Sequence, residues 1–312
     1  MSNPSAIGAV HSLEHFVFTA PDLAEAQRFF GAFGLDARRE GSRLRLHTFG
    51  HAHAWGSVVE APGPKRLQFL SFGVYAADEP VFARRIGERS LALEPHPLGD
   101  GRGLWLRGPD ALPIHLVVAD KVTPSLRSVA QPPAAARGLA AAPARSQVRQ
   151  VRPRRLSHLL LFTADVPGAV AFYRDLLGLK LSDHAGDGIA FLHGAHGSDH
   201  HVIALAKSGG GGLHHTSWDV ASFDEVGLGA EQMRASGFGQ GWGVGRHVLG
   251  SNYFHYVRDP WNSYAEYSFD IDFIPAGLEW QAADNAPEDS FYVWGPEVPG
   301  DFVHNWEQAP AG

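Results

Sequence analysis

The sequence predicts an α+β protein of two tandem domains, each built from two βαβββ modules. Three observations lead there. The first is an internal repeat. Ser12-Leu13-Glu14-His15-Phe16-Val17-Phe18 lies against Arg155-Leu156-Ser157-His158-Leu159-Leu160-Leu161. Leu67-Gln68-Phe69-Leu70-Ser71-Phe72-Gly73-Val74 matches Leu213-His214-His215-Thr216-Ser217-Trp218-Asp219-Val220, and Arg107-Gly108-Pro109 matches Arg258-Asp259-Pro260. The offsets of 143, 146 and 151 grow slowly, as loop insertions in a duplicated unit of about 120–130 residues require. The second observation is a shift of composition over 120–153, where Ala, Pro and Arg dominate; this reads as a connector. The third is the alternation of strand and helix patterns on both sides of it. The expected divisions are a first domain at 7–120, the connector at 121–153, a second domain at 154–275 and an extension at 276–312.

In the second half, the expected elements run strand 156–162, helix 166–177, strand 188–193 and strand 201–206. Then come strand 213–220, helix 223–236 and strands 245–249, 252–258 and 264–269. The first helix of each half is amphipathic and carries an aromatic pair, Phe29-Phe30 or Phe172-Tyr173. Each meets a Gly-Leu step, with Gly34 or Gly178 closing it. Ser222-x-x-Glu225 reads as a capping box for the second helix. Gly209 to Gly212 separates the modules. The run Gly239-Gln240-Gly241-Trp242-Gly243-Val244-Gly245 lacks a following Lys-Ser/Thr and leads into a strand, so it reads as a flexible turn, not a phosphate loop. Arg145, Arg149, Arg152, Arg154 and Arg155 read as solvated connector surface. After 275, Trp280, Trp294, Phe302 and Trp306 make a disordered tail a poor reading, so this segment should pack on the body. Covering a site mouth and meeting another subunit are its other readings.

Composition narrows the function. The 312 residues include no cysteine, which removes disulfides, thiolate metal sites, iron–sulfur clusters and cysteine nucleophiles. They include 18 histidines, a heavy supply of metal ligands and proton carriers. A net charge of −7 disfavours a general nucleic-acid binder. No stretch reaches the roughly 18–20 apolar residues of a membrane span. Met1-Ser2-Asn3-Pro4 shows no basic segment leading into an apolar one, so the expectation is a soluble cytoplasmic protein.

Strand alternation places the candidate chemistry. In 213–220, Trp218 and Val220 mark the helix-packing face, with His214 and Thr216 on the same parity. The other face takes Leu213, His215, Ser217 and Asp219. In 264–269, Ala265, Tyr267 and Phe269 should pack, leaving Tyr264, Glu266 and Ser268 opposite. With His158 on the first strand, His158, His215 and Glu266 can project into one concavity. Two histidines and a carboxylate suit a non-haem Fe(II) site that activates oxygen, although zinc accepts similar ligands. On spacing alone, structural histidines account for the trio as well as a metal does. The first-half counterparts are His15, Phe69 and His115; Phe69 cannot ligate, so that site reads as a remnant.

The segment 156–270 most strongly, and most of 7–275, resembles the type I extradiol ring-cleavage dioxygenases of the vicinal oxygen chelate superfamily. The motifs are Leu213-His214-His215-Thr216-Ser217, Gly245-Arg246-His247, Tyr256-Val257-Arg258-Asp259-Pro260 and Tyr264-Ala265-Glu266. The resemblance implies that the modules of each domain form an incomplete barrel, with catechol 2,3-dioxygenase-like meta cleavage of a catechol by O₂ in aromatic-compound degradation. It implies His158, His215 and Glu266 as ligands of Fe(II), with Mn(II) as an alternative. It implies His201 as the distal acid/base, with His200 as the other register, and His247 and Tyr256 as groups that orient the substrate. His200, Ser217 and His255 are the weaker candidates for substrate contact. The tail after Asp270-Ile271-Asp272-Phe273-Ile274-Pro275 resembles branches acting on more substituted rings, such as trihydroxytoluene, methylhydroquinone-derived rings or dihydroxycumate. A homo-oligomer, a tetramer by resemblance, is expected. The rivals are a glyoxalase-type isomerase or transferase of the same superfamily, and a metal-free protein that binds an aromatic compound.

Overall fold

The structure is a computed structural model that describes residues 7–131 and 142–308; the part of the expected connector at 132–141 lies outside the described residues. The first half runs β1 (Ser12–Ala20), α1 (Leu23–Phe33), β2 (Asp36–Glu40), β3 (Arg43–His47), β4 (Ala54–Glu60), β5 (Arg66–Val74), α2 (Glu79–Glu88), β6 (Leu104–Arg107) and β7 (Pro113–Val118). The second half opens with β8 (Arg155–Thr163), α3 (Val166–Asp175), β9 (Leu179–Ala185), β10 (Ile189–Gly194), β11 (Ser198–Asp199) and β12 (Ile203–Lys207). It continues with β13 (Gly212–Asp219), α4 (Phe223–Ala235), β14 (Gly241–His247), β15 (Tyr253–Arg258) and β16 (Tyr264–Phe269). The tail adds β17 (Phe273–Ile274), β18 (Ala283–Asp284), α5 (Pro287–Ser290) and β19 (Tyr292–Trp294).

Each half forms one large open sheet in which two modules pair side by side, and β11 pairs with β17 in a separate two-stranded sheet. The orders are β2-β3-β4-β1-β5-β7-β6 and β18-β9-β10-β12-β8-β13-β16-β15-β14-β19. The repeat is visible in register. His15 pairs with Ser71, and Ser71 with His115; His158 pairs with Ser217, and Ser217 with Glu266. In the first sheet the counterpart of β14 shrinks to an isolated bridge, Ala92 to Leu106, flanked by the Leu93 N–H donating to the Trp105 carbonyl and the Arg107 N–H donating to the Leu91 carbonyl. The second half also contains a strand, β9, that the sequence pattern does not predict.

Capping follows the sequence. Asp22 and Asp165 accept backbone N–H bonds at the starts of α1 and α3. Ser222 accepts from the Glu225 N–H, while the Glu225 carboxylate reaches back to the Ala221 N–H. Gly34 closes α1 at φ +96, and a side chain there would meet the Val151 carbonyl.

One apolar core joins the helix-covered faces of both sheets, from Phe16, Phe18 and Phe33 to Leu159, Leu161, Trp218 and Tyr267. Phe33 stacks on Tyr267 at 3.9 Å, and the Tyr267 hydroxyl donates to the Phe33 carbonyl. The opposite faces carry smaller clusters, among them Leu160, Phe162, Ala204 and Ala206 on the second sheet. Among the described residues, no helix is long and apolar enough to cross a membrane.

Three expectations are corrected. Arg155 is not solvated: it is buried on β8 in a bidentate pair with Asp199, and Arg154 binds Asp219 and two carbonyls. Two buried carboxylates need a cation, so these arginines belong to the fold and not to the connector. The glycine run is a strand, not a turn, from Gly241 onward: a Cβ at Gly241 would collide with the Tyr256 carbonyl, so the glycines let β14 approach β15. Finally, a bulge lies between Leu213 and His215. It sends Leu213 into the helix-covered core and turns His214 toward the other side, against Phe162, Tyr264 and Phe302. From His215 onward the predicted parity holds.

Candidate metal centre

Three adjacent central strands deliver the trio. β8 brings His158, β13 brings His215 and β16 brings Glu266 to one face, because residues two apart on a strand share a face. The ligand atoms all lie within 4.8 Å of one another. His158 Nε2 is 3.3 Å and His215 Nε2 3.6 Å from Glu266 Oε2, and the two Nε2 atoms are 3.3 Å apart. Nitrogen and oxygen ligands about 2.0–2.2 Å from one cation sit about 3 Å from each other, so the trio converges as a ligand set does. All three side chains are buried, Glu266 completely.

The carboxylate is the telling group. Glu266 Oε1 accepts from Asn252 Nδ2 at 3.1 Å, whereas Oε2 is buried with no hydrogen-bond partner. A buried, half-satisfied carboxylate is costly unless a cation meets it. Burial pushes the Glu266 carboxyl up, but the neighbouring imidazoles of His158 and His247 hold it below its ordinary value. His215 and His201 are pushed well below theirs, first by burial and then by neighbouring histidines. Neutral imidazoles and an ionised carboxylate are what a divalent cation requires.

The ring nitrogens can be assigned one by one. Ser157 spends its hydroxyl proton on Asp199, so it accepts from His158 Nδ1–H. His214 Nε2–H donates to the Phe302 carbonyl at 2.7 Å, which leaves its Nδ1 to accept from His215 Nδ1–H at 2.7 Å. Both ligand histidines therefore present an unprotonated Nε2 inward. His247 Nδ1–H donates to the Phe291 carbonyl, and its Nε2 accepts from the Tyr256 hydroxyl at 2.9 Å. Burial beside Glu266 pushes the Tyr256 phenol well up, so it stays a donor.

The cavity over the trio is lined by apolar Leu160, Ile189, Phe191, Leu249, Phe291 and Phe302, with His201, His214, His247, Asn252, Tyr256 and Ser290 as its further polar groups. His201 leans on His158, ring centroids 4.0 Å apart. Its strand starts later than expected, at Ile203, so His201 sits on the preceding loop. The pair is resolved in register: His201 faces the cavity, while His200 turns away to Asp183 and Trp280. His200 is thus not a substrate contact. Neither is Ser217, which lies behind the trio, in register with His158 and Glu266 and outside the cavity wall. His255 also fails, because it alternates with Tyr256 and points to the opposite face beside Gly243. Sequence reasoning misses Asn252, His214 and Phe291, whereas Phe302 belongs to the tail segment for which covering a site mouth is one of the readings. An asparagine just before a strand and a doubled histidine are the only signals for the first two.

Size alone would choose another site. A groove of about 720 Å³ on the first sheet holds His15, Phe69 and His115. Yet His15 spends both ring nitrogens on Ala54 and Ser57, and His115 spends both on Ser71 and Arg102. Phe69 fills the place of His215. Among the described residues, the ligand atoms that converge as a set of three are those of His158, His215 and Glu266.

The family model described as Glyoxalase/Bleomycin resistance protein/Dioxygenase superfamily matches residues 155–267, which span the trio. Metapyrocatechase 2 of Cupriavidus necator is 49% identical over 300 residues, covering 96% of this chain and 93% of that one. In structure, the chain is similar to homoprotocatechuate 2,3-dioxygenase of Arthrobacter globiformis, with a TM-score of 0.75 at 16% identity over 97% of this chain and 93% of that one. It is also similar to the Mn(II)-bound glyoxalase of Novosphingobium aromaticivorans, with a TM-score of 0.72 at 22% identity over 93% of each. At these identities the two structures speak for the fold alone.

Proposed function

The chain belongs to the extradiol ring-cleavage dioxygenases of the vicinal oxygen chelate superfamily, as an enzyme of the catechol 2,3-dioxygenase type, and we propose from this that His158, His215 and Glu266 hold Fe(II) as its catalytic metal. The observation that carries the assignment is the orphaned, buried Glu266 Oε2 facing two unprotonated Nε2 atoms. Nitrogen and oxygen donors do not separate Fe(II) from Mn(II) strongly, so Mn(II) is the alternative occupant. When bound, Fe(II) supplies Lewis acidity toward the diol and the electron chemistry with O₂.

The chain's own residues do the rest. Tyr256, held by His247, presents its phenol oxygen at the cavity wall and orients the substrate oxygens. His201 lines the cavity and stands over His158, where it holds or releases a proton. The apolar side chains exclude water from the reacting ring. The first half, 7–120, is proposed as a degenerate copy and 154–275 as the catalytic half. The 276–308 part of the extension closes the site through Phe291 and Phe302. Homotetrameric assembly and a cytoplasmic location complete the proposal, on resemblance.

The cavity wall contains no Lys or Arg among the described residues. A carboxylated ring such as dihydroxycumate has no cation to meet there, so we propose catechols with no substituent or an apolar one. Anaerobically purified protein given Fe(II) should consume O₂ and form a yellow ring-fission product with catechol and alkylcatechols. Carboxylated catechols should be turned over at least about 100-fold less efficiently, since a buried unpaired carboxylate costs several kcal/mol. Absence of ring fission with every catechol would remove the reading.

The bond from the Phe302 carbonyl to His214 makes the tail part of the metal centre. His214→Leu should weaken metal binding by about 10–100-fold, because His215 loses the partner that fixes its tautomer. An anaerobic metal titration measures this; an unchanged affinity would show that His214 only packs.

A further inference from the structure

His201 and His200 form a second doubled histidine, built like His215 and His214 but ending in a different acceptor. His200 Nε2 lies 2.8 Å from Asp183 Oδ2, and His200 Nδ1 lies 3.1 Å from His201 Nδ1. Asp183 is in turn fixed by the Ala283 N–H on its other oxygen. His200 is 1% exposed and Asp183 8%, so the chain leads from the buried cavity out to β9, where β18 pairs beside Asp183.

We propose that Asp183 and His200 are positioning residues for the ring cleavage, acting through His201 by fixing its tautomer and giving its proton a place to go. The proposal rests on the reading of His201 as the acid/base. A carboxylate can only accept, so His200 Nε2 is the N–H and His200 Nδ1 carries the lone pair. His201 must then donate through Nδ1–H, which leaves its Nε2 unprotonated and free to take a proton from a substrate hydroxyl. When His201 Nε2 gains that proton, the Nδ1 proton passes to His200 Nδ1. His201 is neutral again, now protonated on Nε2, and the positive charge rests on His200 against the Asp183 carboxylate. The reverse transfers return the proton. His214 cannot play this part, because its outer partner is the neutral Phe302 carbonyl. One pair therefore ends in a group that only orients, and the other in a group that also balances charge.

Two measurements test this. The first reads the tautomer in the parent protein. In full-length protein loaded with diamagnetic Zn(II) and ¹⁵N-labelled at histidine, long-range ¹H–¹⁵N spectra should show His201 as the Nδ1–H tautomer, assigned through His201→Phe. The Nε2–H tautomer would overturn the proposal. The second compares His200→Leu with His200→Asn. Leucine removes the acceptor and should lower kcat at least about tenfold, with KM for catechol and metal content unchanged. Asparagine is smaller than histidine but places its side-chain oxygen where Nδ1 stands, and it should restore most of that loss. If Asn is as impaired as Leu, or if Leu keeps the parent kcat, His200 is only packing. Failure of the acid/base reading looks different: His201→Phe would then keep its turnover whatever the tautomer.

Discussion

Replacing Glu266 by Gln is expected to erase the stabilisation that metal gives this protein, without harming the metal-free fold. A cation that binds only the folded state adds RT ln(1 + [L]/Kd), about 2.7 kcal/mol at 100 times Kd. In a chain of this length that raises Tm by about 5 °C. The glutamine side chain keeps the shape and can still accept from Asn252 Nδ2, but it removes the one anionic ligand of the trio. Affinity should fall by more than the roughly 100-fold that loss of an outer partner costs, and the Tm gain should vanish at the same metal concentration. The metal-free protein should melt at or slightly above the parent, since a neutral NH₂ facing the two imidazole nitrogens replaces a buried anionic oxygen without a partner. Anaerobic scanning calorimetry with and without Fe(II) measures both arms. A variant that keeps the metal-dependent shift would show that Glu266 is not a ligand.

The trio is legible in the sequence because it depends on regular strand features. The offsets align His158 with His15, Phe69 with His215 and Glu266 with His115, and the sheet registers pair the same positions. Period-two alternation places Glu266, Tyr264 and Ser268 together, and β16 has no bulge in its pairing with β15 to disturb it. The bulge in β13 is different. It shifts parity for Leu213 and His214 only, and nothing in Leu213-His214-His215 announces it. The partners that set tautomers are the least visible. Two are the backbone carbonyls of Phe302 and Phe291, far along the chain, and any residue supplies a carbonyl. Asp183 sits in β9, where Lys180, Ser182, Asp183 and His184 interrupt the apolar pattern that would reveal a strand. Arg155 is hidden for a related reason: its buried partners Asp199 and Asp219 come from other strands, so a local run of arginines looks solvated.

His201→Phe is expected to separate turnover from metal retention. His201 lies outside the trio, and its contact with the centre is a ring resting on His158, centroids 4.0 Å apart. Phenylalanine preserves that contact and the packing on Phe191, so His158 should keep its orientation through Ser157 and Asp199. Metal affinity and the metal-dependent Tm gain should therefore stay within about threefold of the parent, less than the 10–100-fold that loss of a true outer partner costs. The ring nitrogens are lost. Burial holds the His201 imidazole well below its usual range, so in the parent it enters the reaction neutral, ready to accept a proton. Without it kcat should fall by about 10²–10⁴, the span that one positioned acid/base contributes. KM for catechol should change little, because the diol is positioned from the other wall by Tyr256 and His247. Oxygen uptake, paired with elemental analysis of the same sample, reads both quantities. Loss of metal together with activity would place His201 in the ligand set and undo the division of roles; full activity would leave the cavity without its acid/base.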